Sequence, residues 1–395
     1  MSILVTAEND QAAASRKGWG AVYAMTLCVS ALIASEFLPV SLLTPIASGL
    51  GVSEGQAGQA IAISGAFAVI TSLLISGVTR RIDRRHVLLG LTGLMILSGV
   101  MVAFAPNTLI FMAGRALIGV VVGGFWSMSA AVVMRLVPEE DVPRALNVLN
   151  AGNALATTIA APLGAFLGEQ IGWRGAFFLV VPLGALTFAW QYLTLPALPS
   201  TAPPRALGVF RVLRSRQVAI GMAAVAAMFA GRFALFTYLR PFLENVTRIG
   251  PAMLTLFLLL VGAAGLLGTF LIGRLLRTHL RATLIGPPLA MAALAIALIA
   301  LGASPLLTGG LLVLWGMIST PSSSAWWTWL SQALPEDAEA GGGLMVAVIQ
   351  LAITVGAALG GLLVDTSGYA AAFAAGAAIL VASAWLTAAA SPTKA

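Results

Sequence analysis

Apolar runs of about 20 residues recur along the whole chain, separated by short turns rich in Gly, Pro, Ser and Asn. A helix rises about 1.5 Å per residue, so each run is long enough to cross roughly 30 Å of hydrocarbon. The pattern predicts helices near 19–47, 56–79, 87–105, 108–136, 142–168 and 174–195, then 217–241, 251–274, 281–303, 305–333, 341–364 and 369–390. The turn signals include Gly51-Val52-Ser53, Ala105-Pro106-Asn107, Val137-Pro138-Glu139, Gly302-Ala303-Ser304-Pro305 and Leu334-Pro335-Glu336. This is an all-α membrane protein with twelve predicted crossings. The domain plan is an N-terminal tail at 1–18, six helices at 19–195, a Pro-rich basic linker at 196–216, six helices at 217–390 and a tail at 391–395.

Composition agrees and narrows the class. The chain of 395 residues is 59% hydrophobic and 9% charged, with a mean hydropathy of +0.98. No soluble domain of this size covers itself with so little polar surface. The single cysteine, Cys28, excludes an internal disulfide, and the two histidines, His86 and His279, fall in basic loops. No metal cluster is expected. Met1–Lys17 is polar and lacks the pattern of a cleavable leader. The net charge of +7 belongs to residues that flank spans, so no nucleic-acid partner is expected. Arg80, Arg81, Arg84, Arg85, Arg135, Arg144, Arg205, Arg211, Arg214, Arg216, Arg274, Arg277 and Arg281 fall on one side, with Arg16, Lys17 and Lys394 in the tails. Arg174, Arg240 and Arg248 fall on the other. The bias predicts both termini in the cytoplasm.

The chain also repeats itself at an offset of 196. Glu36-Phe37 matches Arg232-Phe233, Pro45 matches Pro241, Gly77 matches Gly273, Gly164 matches Gly360, Glu169 matches Asp365, and Gly172-Trp173 matches Gly368-Tyr369. The offset slips to 197 where Pro138-Glu139-Glu140 meets Pro335-Glu336-Asp337. Two six-helix halves of the same orientation are expected around a central cavity, with a site near the midplane between them.

Of 14 acidic residues, only Glu36 lies inside an apolar stretch; the others are read as loop or tail residues. A charge in hydrocarbon costs about 2.5–3.5 kcal/mol on insertion scales, so such a residue usually relays a proton, binds an ion or touches substrate. A protonated Glu36 capping a neighbouring helix is the alternative. Arg115 is a second buried charge; it either biases Glu36 or touches substrate, or it locks helices through backbone carbonyls. Arg232, the repeat partner of Glu36, is a candidate counter-ion competing with the proton, or a structural ion pair. Phe37, Phe233, Trp126 and Trp326 offer aromatic faces on which a flat ring would stack, and Asn150, Asn153 and Gln350 offer amides; each can equally be packing. Gly152, Pro162 and Gly164 lie on a small-residue surface suited to rocking.

Several strings resemble the major facilitator superfamily over nearly the whole chain. Gly77-Val-Thr-Arg-Arg-Ile-Asp83-Arg84-Arg85 resembles its loop signature, with Arg81 where an Asp is usual. Arg115 with Gly119 and Gly123-Gly124 is similar to its second signature, and Gly152 through Ala161-Pro162-Leu163-Gly164 resembles its antiporter motif, which normally reads Gly-Pro. Glu36-Phe-Leu-Pro-Val-Ser-Leu-Leu-Thr-Pro45, Gly123-Gly-Phe-Trp126, Met134-Arg-Leu-Val-Pro138 and Gly168-Glu-Gln-Ile-Gly-Trp-Arg174 resemble the twelve-span drug:proton antiporters, and within them the exporters of purine ribonucleosides. The resemblance implies a proton-coupled efflux antiporter of the bacterial inner membrane. Glu36, Arg115 and Arg232 would serve coupling. Phe37, Trp126, Asn150, Asn153, Phe233, Trp326 and Gln350 would serve a nucleoside-like substrate. Gly77, Asp83, Arg84, Arg85, Gly152, Pro162 and Gly164 would serve gating. It implies a monomer in the lipid bilayer, with no cofactor beyond the proton gradient. A multidrug or sugar antiporter, an uptake symporter and a passive facilitator share the fold. A membrane enzyme lacks the necessary His, Asp or metal constellation in the spans, and a transporter-like sensor would carry an added domain.

Overall fold

The computed structural model describes residues 2–199, 212–278, 280–334 and 338–389. Most of the 196–216 linker with Arg205 and Arg211, His279, the Pro335-Glu336-Asp337 turn and Lys394 lie outside the described residues. The helices of the first half are α1 (Ser2–Leu50), α2 (Glu54–Val78), α3 (Arg84–Ala103), α4 (Thr108–Leu136), α5 (Val142–Phe178) and α6 (Val180–Thr194). Those of the second are α7 (Arg216–Phe236), α8 (Leu239–Asn245), α9 (Pro251–Thr278), α10 (Leu280–Leu301), α11 (Pro305–Ala333), α12 (Ala338–Ser367) and α13 (Tyr369–Ala389). The described residues contain no strand. Helices are what hydrocarbon demands, because each backbone donor must find its acceptor within the segment.

Among the described residues, eleven helical stretches are long and apolar enough to span a membrane, and one of them, Glu139–Thr194, has 56 residues. A straight helix of that length would reach about 84 Å, far beyond one bilayer core. It turns at Gly172, whose φ of 73° and ψ of 165° leave the helical region. The stretch therefore holds two crossings, and the total is the expected twelve. The seventh crossing is divided between α7 and α8. Pro241 has no N–H for the carbonyl of Thr237, and the helix breaks there.

The backbone carries the internal repeat. Among the described residues, positive φ occurs at Gly51 (67°), Gly172 (73°), Arg248 (59°) and Gly368 (82°). These are two pairs at offsets of 197 and 196. The same turn recurs in each half, and only Arg248 adopts it with a side chain. Packing repeats as well. A Cβ on Gly119 of α4 would strike the carbonyl of Ser64 in α2, and one on Gly316 of α11 would strike the carbonyl of Val261 in α9. Lipid gives helices no hydrophobic reason to associate, so close backbone approach through small residues is a main source of their packing energy.

Chain turns define two ends. The near end holds the turns around 79–83 and 137–141; the far end holds those at 51–53, 104–107, Gly172, 246–250, 302–304 and Gly368. The halves meet through α2 against α12, α5 against α9, and α1 against α8. The named contacts between them run from the far end to the level of Gly65 with Gln350 and Thr158 with Gly262. Tyr238 of the second half packs into the apolar core of the first, and Val40 and Ile61 of the first pack into that of the second.

Candidate functional site

Two prolines inside α1 set up the site. Pro39 has no N–H for the carbonyl of Ser35, and Pro45 has none for that of Ser41. Each freed acceptor takes an arginine. Arg115 of α4 donates from one terminal nitrogen to Ser35 O at 2.8 Å. Arg240 of α8 donates to Ser41 O across the halves and from Nε to Glu244 Oε1 at 2.8 Å. Arg115 is wholly buried, and its other donors reach Glu36 O at 3.1 Å, Ala60 O at 3.4 Å and Ser64 Oγ at 3.4 Å. The guanidinium thus fastens α1, α2 and α4 together through backbone carbonyls.

Glu36 lies near the middle of the Gly18–Leu50 span and is 8% exposed. Its carboxylate accepts from Nε2 of Gln350, on α12 of the other half, at 3.2 Å. Gln350 is 6% exposed, and its Oε1 is buried with no donor. No ion pair joins Glu36 to Arg232. Arg232 donates to Ser319 O at 3.2 Å, lies 5.8 and 6.0 Å from the ring centres of Phe233 and Phe236, and leaves Nε without a partner. Phe37 and Phe233, equivalent in the two repeats, face each other with centroids 6.0 Å apart. The arrangement brings a carboxyl group, a cation with an unpartnered Nε and the Phe37–Phe233 ring pair to the junction of the halves.

The other candidates have their own neighbours. Trp126 is half-buried against the first-half core, edge-on to Phe125 at 6.2 Å. Trp326 is 2% exposed inside the second-half core, with its indole N–H on Met228 Sδ at 3.1 Å and Trp329 at 5.5 Å. It lines no open surface in this conformation. Asn153 is half-buried and Asn150 exposed. Gly152 and Gly164 of α5 let α1 approach: a Cβ would meet Thr26 Cγ2 at 2.5 Å in the first case and Leu38 Cδ2 at 2.8 Å in the second. Pro162, inside α5, frees the carbonyl of Thr158, and that oxygen faces Gly262 of α9. In the near-end loop, Asp83 caps α3 through Arg85 N at 2.8 Å and accepts from Leu198 N at 2.9 and 3.0 Å. Arg84 donates to Thr79 Oγ1 at 2.7 Å, and Arg85 to Tyr192 O at 2.8 Å. Gly77 is exposed with open space where a Cβ would stand. Arg85 and Asp83 thus tie the loop to the last turn of α6 and to the chain just after it.

The acids expected in loops need a correction. Glu54, Glu244 and Asp365 occupy terminal turns of α2, α8 and α12 and build a network at the far end. Asp365 accepts from Ser53 Oγ at 2.5 Å and from Gly55 N at 3.0 Å, so α12 of one half caps α2 of the other. Glu54 accepts from Tyr369 Oη at 2.5 Å and Asn245 Nδ2 at 3.3 Å. Tyr238 donates to Ala357 O at 2.8 Å, beside Gly58 and Gly361. The sequence signals were present: Ser53 with Gln56 is a capping-box spacing, and Asp365 is the repeat partner of Glu169.

Comparisons with known proteins fit this geometry. The profile of the Major Facilitator Superfamily matches residues 25–346. The chain is 54% identical over 384 residues to the transcription regulatory protein OpdE of Pseudomonas aeruginosa, covering 96% of this chain and 95% of that one. It is 41% identical over 368 residues to the purine ribonucleoside efflux pump NepI of Escherichia coli K12, covering 93% of each. A crystal structure of a bacterial homologue of the human lysosomal transporter Spinster, inward-facing and unoccupied, superposes with a TM-score of 0.73 at 15% identity, covering 95% of both chains. The human organic anion transporter MFSD10 superposes with 0.65 at 20% identity, covering 94% of this chain and 99% of that one. At such identities the likeness concerns the fold.

Proposed function

The chain belongs to the Major Facilitator Superfamily, and from that premise we propose that this multi-pass transporter exports purine ribonucleosides in exchange for protons. Both termini then face the cytoplasm of a bacterial inner-membrane protein, by the arginine bias, and hydrogen bonds between the halves close the opposite, far end. The observation that carries the reading is Glu36: a carboxylate at mid-span, between the halves, held by an amide of the opposite half. A passive facilitator gains nothing from such a group, and its cost in hydrocarbon argues for a task. A carboxylate exchanges its proton for substrate when loading one disfavours the other, and alternating access then links the two flows.

The nucleoside assignment is supported by the relative named for purine ribonucleoside efflux. It is also supported by the rings at the junction. Phe37, Phe233 and Phe236 offer faces for a flat heterocycle, and the spare donors of Arg232 offer hydrogen bonds to its acceptors. A second reading has its own observation, the relative named as a transcription regulator. The described residues are helices of a membrane bundle, so an effect on transcription follows most simply from the solute concentration that a transporter sets. The test is uptake into inverted vesicles under an imposed proton gradient, with a panel of nucleosides, sugars and cationic drugs. Gradient-driven uptake of purine nucleosides supports export. Uptake of lipophilic cations alone overturns the substrate and makes the protein a multidrug pump.

A further inference from the structure

Gln350 carries a feature that substrate contact does not explain. Its amide nitrogen donates to Glu36, while its amide oxygen is buried and accepts from nothing. Buried polar atoms are normally paired, and an orphan at the centre of a bundle needs a reason. An ionised carboxylate has no proton to give that oxygen. A protonated carboxyl has one. It would donate O–H to Gln350 Oε1 while its carbonyl oxygen still accepts from Nε2, closing a two-bond cyclic pair. The terminal torsions of both side chains are broad, so the rearrangement needs no backbone movement.

The backbone around the pair favours this local response. Arg115 of α4 faces Glu36, yet its donors are committed to the carbonyls of Ser35, Glu36 and Ala60 and to Ser64. Arg232 of α7 donates to Ser319 O and lies against phenyl rings, with its unpartnered Nε not paired to Glu36, and Arg240 of α8 is held by Ser41 and Glu244. Among the described residues, α2 and α5 bring no titratable side chain to this level; Ser64 is the polar group that α2 offers Arg115. The amide of Gln350 is therefore free to answer a proton. It stands on α12, the helix whose Asp365, 15 residues on, caps α2 at the far end.

We propose that Gln350 is the positioning residue through which protonation of Glu36 is read across the two halves. With the proton on, the carboxyl–amide pair ties α1 to α12 by two bonds and holds the far end shut. With the proton off to water, one bond and an orphan oxygen remain, and the far end opens more readily. The proposal rests on the reading of Glu36 as the proton site, and it adds the element that converts protonation into a movement of α12. The sign suits export, because a proton taken up at the far end closes that end behind it.

The test uses the full chain with Cys28→Ser, in lipid nanodiscs, carrying spin labels at the exposed positions Ser48 of α1 and Thr366 of α12. Distance distributions are recorded from acid to alkaline pH. In the otherwise unaltered protein the closed, short-distance population should grow as pH falls. Gln350→Leu and the unbranched Gln350→Met should flatten that response, reducing the pH-dependent change in the open–closed constant about tenfold, the weight of one hydrogen bond to an ionisable group. Both variants are scored after a normal elution profile, and Met guards against a packing defect of Leu. If both titrate like the parent while Glu36→Gln is flat, the role of Gln350 is overturned and Glu36 remains the proton site. If Glu36→Gln itself titrates like the parent, the proton-site reading falls as well.

Discussion

Arg115 and Arg232 are both arginines deep in the bundle, and their surroundings are opposite. Arg115 spends its donors on four oxygens of α1 and α2, one of which, Ser35 O, is free because Pro39 follows four residues later. Arg232 has a single carbonyl, two ring faces and an unpartnered Nε. The first is a fastener that a packed helix triplet depends on. The second has donors to offer something that arrives. A buried cation is therefore read by its acceptors rather than by its burial.

The sharpest way to break this comparison is to remove each cation. Arg115→Leu leaves the carbonyl of Ser35 without a donor and unfastens α4 from α1 and α2, and should cost about 3–5 kcal/mol, the scale of breaking a buried charged network. Folded protein recovered in detergent should fall sharply. Arg232→Leu should cost about 1 kcal/mol, one hydrogen bond, with a normal elution profile. Equal losses in thermal unfolding would erase the distinction.

Next in size is the aromatic junction. Phe233→Ala should weaken nucleoside binding by about 1–3 kcal/mol if a base stacks there, on the scale of base–aromatic contacts elsewhere. Trp326→Phe should leave nucleoside affinity unchanged, because that indole is enclosed and already bonded to Met228. Isothermal binding assays separate the two, and a Trp326→Phe protein that loses affinity would return that residue to the site.

A smaller effect separates the two crossings between halves. At α2 against α12, Asp365 caps the helix start through Ser53 and Gly55. At α5 against α9 the repeat partner Glu169 is exposed, and α9 opens with Pro251, which has no N–H to cap. Asp365→Ala should shift the far end toward opening by about 1 kcal/mol, the usual weight of an N-cap. Glu169→Ala should leave it unmoved, read by the same spin-label distance. Tyr369→Phe removes the hydrogen bond to Glu54 across the halves, along with the one accepted from Asn245 within the second half, and should shift it by at most about 1 kcal/mol.

The bundle was legible because apolar run length and a 196-residue offset are properties of sequence. The offset even marks the turns, since Gly172 and Gly368 take the same positive φ. Glu36 was legible as an acid where acids are costly. Its partner was not, because Gln350 lies 314 residues away on the other half. The repeat suggested Arg232 as a counter-ion, yet the two side chains are not paired here. The role of Arg115 was open between coupling and locking, because its acceptors are backbone oxygens that leave no side-chain signature; Pro39 was the available clue. Glu54 and Asp365 were assigned to loops because helix ends are the least certain part of an apolar pattern. Trp326 was assigned to the cavity by its type, and a sulfur acceptor from α7 turned it inward.

The most direct measurement is proton movement itself. Purified protein is reconstituted in liposomes loaded with a pH-sensitive dye, and a purine nucleoside is added to one side without an imposed gradient. Substrate entry by the parent protein should drive protons outward and make the interior alkaline. Glu36→Gln should exchange labelled nucleoside across the membrane yet leave the interior pH unchanged. A Glu36→Gln protein that moves protons with substrate at the parental rate would contradict the account.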